Sequence, residues 1–63
     1  MTENEFHYYT LAWIDLIEGA KIPDLNSAIR MYLNVEDYEA CVGIQMAINE
    51  YIYYLNIKKK LLK

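Results

Sequence analysis

From Val35 to about Lys58 the chain has no proline and a single glycine, Gly43, and its apolar residues recur at helical spacing. At 1.5 Å per residue this predicts a helix of roughly 36 Å. Cys41, Ile44, Ile48, Tyr51, Ile52 and Leu55 fall on one face of it, and Val42, Met46, Tyr53 and Ile57 on a second, rotated by roughly a third of a turn. An outer helix of a monomer needs one apolar stripe. Two stripes predict packing on two sides, by the rest of the chain and by a partner.

Two shorter helices precede it. Thr2 and Glu5 have the spacing of a capping box, with Met1 and Phe6 placed as a hydrophobic staple, so a first helix is expected over 3–18. Phe6, Tyr9, Trp13, Leu16 and Ile17 form its expected inner face, and Gly19 suits the position just past its end. Pro23 opens a second helix over 24–33, whose Leu25, Ala28, Ile29, Tyr32 and Leu33 follow the i, i+3, i+4, i+7, i+8 pattern. Asn34 is expected to end that helix and cap the third, over 35–58, with Asp37 in its first turn and Leu33 and Tyr38 as a second staple. The predicted fold is all-α. The long C-terminal helix is the spine, the two short ones cover it end to end, and Trp13 packs on Ile44, Ile48 and Ile52. The expected organisation is one domain over residues 1–63 with a basic tail at 58–63.

Composition adds a reason to expect a second copy. A 63-residue chain buries only about 60% of its unfolded surface, and one cysteine leaves no disulfide to compensate. Apolar residues make up 56%. Val42, Met46, Asn49 and Tyr53 are spaced 4, 3, 4, as in a coiled-coil seam with Asn49 as its polar register residue. Val42, Met46, Asn49, Tyr53 and Ile57 are therefore the expected homodimer interface. The lone cysteine, and an N-terminus with neither a basic nor an apolar leader segment, fit a cytoplasmic protein. No apolar run is long enough for a membrane span. Abundant Ile, Asn, Lys and Tyr point to an A/T-rich genome, such as that of a low-GC bacterium or its phage.

Charge is segregated. Residues 1–57 carry nine acids against Lys21 and Arg30, a net of −7, while Lys58, Lys59, Lys60 and Lys63 bring +4. An acidic body repels phosphate, so direct nucleic-acid binding is expected to be weak or absent except through the tail. The lysines are accounted for by the negative end of a helix dipole. Tyr51 to Lys63 also has the aromatic-then-basic order of an interfacial membrane segment, but Glu50 and Asn56 interrupt it.

Ile29, Leu33, Asp37 and Cys41 recur at four-residue steps across a helix corner, which resembles the short helix-turn-helix IDEAL domain. Arg30, Met31 and Tyr32 stand where that family has Asp-Glu-Ala, and no function is carried over.

Candidate chemistry is sparse. His7, the only histidine, has Glu3 one turn away as its nearest potential co-ligand. Cys41 has no basic neighbour within a turn to activate a thiolate, and Ser27 has no histidine nearby in sequence. The pairs Glu3/Glu5 and Glu36/Asp37 sit where helix dipoles favour acids. No catalytic, cofactor or metal residue is assigned, and the expectation is a protein that is not an enzyme. Seven tyrosines supply more large contact area than so small a core takes up. Glu36, Glu39, Glu50 and Tyr54 are expected along the outer face of the third helix as a partner-binding set, with Ala47 nearby. The expected function is a small protein that modulates a larger one, such as a transcription regulator or other DNA-binding or DNA-processing protein. The alternatives are nucleic-acid or membrane-surface binding through the tail, and a structural subunit of a larger assembly.

Overall fold

The computed structural model describes residues 1–61 and contains three helices, α1 (Glu3–Ile17), α2 (Ile22–Asn34) and α3 (Tyr38–Leu61). Among the described residues there is no strand. The last two residues of the expected basic tail, 62 and 63, lie outside the described residues, and 58–61 continue α3 as helix.

Local chemistry sets each boundary. The capping box forms: the Glu5 N–H donates to Thr2 Oγ1 at 3.1 Å, and the Thr2 N–H donates to Glu5 Oε1 at 2.7 Å. The expected staple does not bury its residues, since Met1 and Phe6 are both exposed. At the other end of α1 the Ala20 N–H donates to the Asp15 carbonyl (2.8 Å) and the Gly19 N–H to the Leu16 carbonyl (3.2 Å). This is a Schellman cap, and it needs the φ of +110° that Gly19 supplies. Helix α2 begins two residues earlier than expected. Pro23 occupies its first turn, and Asp24 Oδ2 accepts the Lys21 N–H at 3.3 Å.

The junction before α3 departs from expectation. Asn34 remains the last residue of α2, and the chain closes it with a second Schellman pattern: Glu36 N–H to Leu33 O (3.0 Å) and Asp37 N–H to Tyr32 O (2.9 Å). The left-handed residue is Glu36, at φ 60°. Asp37 Oδ1 then accepts the Ala40 N–H at 3.3 Å, so Asp37 rather than Asn34 caps α3, and Leu33 and Tyr38, the expected second staple, are both exposed. Helix α3 accordingly starts three residues later than expected and runs further.

The two short helices lie side by side rather than end to end. Thr2 meets Glu39, Tyr9 meets Gly43 and Trp13 meets Tyr51, so α1 and α3 run parallel. The turn at Gly19 sends α2 back antiparallel to both: Tyr32 stacks edge-on against Tyr8 at 5.3 Å, and Cys41 Sγ donates to the Ile29 carbonyl at 3.5 Å. Side by side, the short helices cover only the first part of α3, and every residue from Ile52 to Leu61 is exposed. The molecule is correspondingly long, 43 × 22 × 16 Å.

The core lies along the contact of α1 with α3. Ala12, Leu16, Leu25, Ile44, Ala47 and Ile48 are buried, with Tyr8, Tyr9, Trp13, Ile22, Ala28, Ile29, Tyr32 and Tyr51 packed around them. The buried face of α3 is Ala40, Gly43, Ile44, Ala47 and Ile48, rotated toward small residues from the face that bulk alone predicts. Ala47 is at its centre, not on an outer face. At Gly43 the helices are in backbone contact: an added Cβ would meet the Glu5 carbonyl oxygen, the Tyr9 nitrogen at 2.9 Å and Tyr8 Cβ at 3.0 Å. The inner face of α1 follows that contact as Glu5, Tyr8, Tyr9, Ala12, Trp13 and Leu16, leaving Phe6 (55%) and Ile17 (76%) exposed. Leu33 of α2 is exposed as well. Trp13 packs edge-to-face on Tyr51, with 5.8 Å between ring centroids, and against the buried cluster that includes Ile44 and Ile48, while Ile52 is left exposed.

Candidate protein-docking surface

The early end of α1 leaves part of α3 without a neighbour. Helix α1 stops at its glycine cap while the apolar stripe of α3 continues, so Tyr51, Tyr54 and Leu55 lose their cover on one side. Together with Trp13, Leu16 and Ile17 they line an open groove of about 520 Å³, with Lys58 at its rim. The Trp13–Tyr51 pair forms its floor and Ile17 its lip. A tryptophan and two tyrosines in an apolar concavity are the side chains that dominate binding energy at protein interfaces. Tyr54 is the only member of the expected partner-binding set in this groove. Its other apolar residues, Trp13, Leu16, Ile17, Tyr51 and Leu55, are ones the sequence places on inner faces. Their exposure follows from length: α1 and α2, at about 22 and 20 Å, cannot lie side by side and also cover 36 Å of α3.

The expected acidic face is not assembled. Glu36 lies in the turn before α3, far along the helix axis from Tyr54. Glu39 accepts the Thr2 hydroxyl at 2.5 Å and the Asn4 amide at 3.4 Å. Glu50 accepts the Tyr9 hydroxyl in a short bond. These two carboxylates tie α3 to α1 along the flank of the bundle.

The expected dimer residues do share one surface. Val42 (41% exposed), Tyr53 (68%) and Ile57 (38%) are joined by half-buried Met46 and exposed Asn49 on the side of α3 away from Ile44 and Ile48. Gln45 Nε2 donates to Asn49 Oδ1 at 2.9 Å and orients its amide. A smaller apolar hollow of about 260 Å³ lies between Ala28, Met31, Tyr32 and Val35 at the end of α2.

Two tyrosines have perturbed acidity. The Asp37 carboxylate beside Tyr8 raises the pKa of its phenol, because a second negative charge there is disfavoured; Tyr8 Oη donates to Asp37 Oδ2 at 3.5 Å. Tyr9 is raised chiefly by the hydrogen bond to Glu50, which holds the proton on the phenol. Both phenols donate between helices, Tyr8 from α1 to the cap of α3 and Tyr9 from α1 to α3.

His7 is exposed on α1 with its ring edge-on to Tyr8 at 5.5 Å. The Ser27 hydroxyl donates to the Pro23 carbonyl at 3.1 Å and accepts from Arg30 at 3.4 Å, an arrangement internal to α2. Cys41 is half-buried between α2 and α3. Among the described residues no group of three His, Cys, Asp or Glu side chains is placed to hold a metal ion, and no helix is long and apolar enough to cross a membrane. No protein-family model, curated protein or solved structure matches this chain.

Proposed function

We propose that this chain is a small non-enzymatic binding protein that acts as a homodimer through α3 and modulates a larger protein, a nucleic-acid-binding regulator. The observation that carries this reading is the groove of Trp13, Tyr51, Tyr54 and Leu55, an aromatic apolar concavity that the chain's own helices leave open. The charge balance favours the class of target. Residues 1–57 hold nine acids against two bases, which suits the basic surface of a DNA-binding protein and repels DNA itself. In this reading the regulator inserts an apolar side chain into the groove, and its basic surroundings face the acidic body. Its affinity for DNA changes as a result, either through a shift of its conformation or through occupation of its DNA site by negative charge.

The test is a gel-shift titration. Purified protein should leave bare duplex DNA unshifted and should alter the DNA complex of a regulator from the same source. Trp13→Ala and Tyr54→Ala should each abolish that effect. Salt-sensitive binding to bare DNA that disappears on deletion of residues 58–63 would instead assign the activity to the lysines and overturn the proposal. Binding of the intact chain to anionic vesicles, lost on the same deletion, would place it at a membrane surface.

A further inference from the structure

We infer that α3 pairs with α3 of a second copy in an antiparallel, twofold-symmetric contact whose axis passes between Asn49 and Glu50. This rests on the homodimer proposed above and specifies its orientation and register. The exposed stripe is palindromic about that midpoint. Val42 and Ile57 are equidistant from it, as are Met46 and Tyr53. Antiparallel pairing therefore sets Val42 against Ile57 and Met46 against Tyr53 twice over, as an isologous contact requires.

Charge selects this orientation over the parallel one. Glu36, Asp37 and Glu39 are at the N-terminal end of α3, and Lys58, Lys59 and Lys60 at the C-terminal end. A parallel pair would stack lysines on lysines. The antiparallel pair brings Lys60 level with Glu39 of the second copy and opposes the two helix dipoles favourably. At the axis Asn49 meets its counterpart, with its amide already oriented by Gln45. Glu50, the acid nearest the axis, would repel its own copy, but the Tyr9 hydroxyl binds its carboxylate toward α1 and clears it from the seam.

The surface has the size of a weak dimer contact. A fully overlapped pair of 24-residue helices gives a strip about 36 Å long and about 12 Å wide. That buries roughly 900 Å² over both copies, close to the ~1,000 Å² expected of a specific interface and in the range of weak, concentration-dependent dimers. The Trp13–Tyr54 grooves stay open on the outer sides of the dimer.

Disulfide trapping in the full chain, with Cys41→Ala as background, tests both levels separately. Mixed Val42→Cys and Ile57→Cys chains should oxidise to a crosslinked heterodimer. Val42→Cys alone should not crosslink, because its two copies would stand about 22 Å apart, well beyond disulfide reach. Met46→Glu should weaken association roughly tenfold or more by burying a charge in the seam. Crosslinking of Val42→Cys to itself would overturn the antiparallel register and leave the dimer standing. A dimer that crosslinks in neither arrangement is paired on another face and overturns it too. A monomer by sedimentation equilibrium at about 100 μM would overturn the dimer as well.

Discussion

Replacing Gly43 with alanine tests the contact on which the fold depends. In a solvated helix the change stabilises by about 1 kcal/mol, because alanine loses less backbone entropy. Here the new methyl group would run into the Glu5 carbonyl oxygen, the Tyr9 amide nitrogen and Tyr8 Cβ. Two of these three atoms are backbone and cannot rotate away, so α1 and α3 must separate along the core. Overpacking of this kind costs about 3 kcal/mol, the upper end of its usual range, which leaves a net loss of roughly 2 kcal/mol. For a chain of this size total stability is on the order of 3–9 kcal/mol, so the change removes a large fraction of it. The melting temperature should fall by about 8–16 °C. Far-UV circular dichroism melts of wild type and Gly43→Ala measure this, with Asn56→Ala on the exposed end of α3 as a propensity control. A Gly43→Ala melt at or above the wild-type midpoint would show that the helices do not touch there, and the parallel α1/α3 packing would be wrong.

Other substitutions probe separate links in the same chain of causes. Glu36 holds a left-handed conformation at φ 60° that glycine adopts without strain, so Glu36→Gly should raise stability by about 1 kcal/mol in urea unfolding. A decrease would mean that its side chain contributes more than its backbone costs. Ile48→Ala should cost roughly 2–5 kcal/mol and leave little cooperative unfolding, since Ile48 is buried between the helices. A near-wild-type melt would remove it from the core. Alkaline pH should also destabilise. Tyr8 and Tyr9 titrate higher folded than unfolded, so the stability they contribute is complete below the unfolded value of 10.0 and lost as pH rises through the folded values. Urea midpoints should hold from about pH 7 to about pH 9 and fall above 10. Tyr8→Phe with Tyr9→Phe should reduce that fall, and an unchanged slope would remove these two bonds from the explanation.

The parts of the fold legible in the sequence were those written in short-range chemistry. The Thr2/Glu5 box, the Gly19 cap and the spacing of Leu25, Ala28, Ile29 and Tyr32 each specify a local outcome that tertiary packing did not override. The faces of α1 and α3 were not legible because a helical wheel weights large residues. Here the closest contact is made by small ones, Ala40, Gly43 and Ala47 against α1, which turns Phe6 and Ile17 outward. The α2/α3 junction was misplaced by the same preference for the expected residue. Asn34 and Asp37 are equally good capping residues in isolation, but Asp37 satisfies three groups at once: its own N–H to Tyr32, its carboxylate to Ala40, and Tyr8 across the bundle. The groove was hidden because its apolar members other than Tyr54 read as core. Only the placement of both short helices along the first part of α3, which no single segment encodes, leaves Trp13 and Tyr51 half-exposed and Tyr54 exposed.

The proposed mode of action is the lodging of a regulator's side chain in the Trp13–Tyr54 groove. Residue-resolved NMR of the isotope-labelled protein, titrated first with duplex DNA and then with a regulator, tests this most directly. The account predicts no response to DNA alone, and regulator-induced shifts centred on the Trp13 indole and the amides of Tyr51, Tyr54 and Leu55. Shifts from DNA alone, confined to residues 58–63 and suppressed by salt, would contradict it.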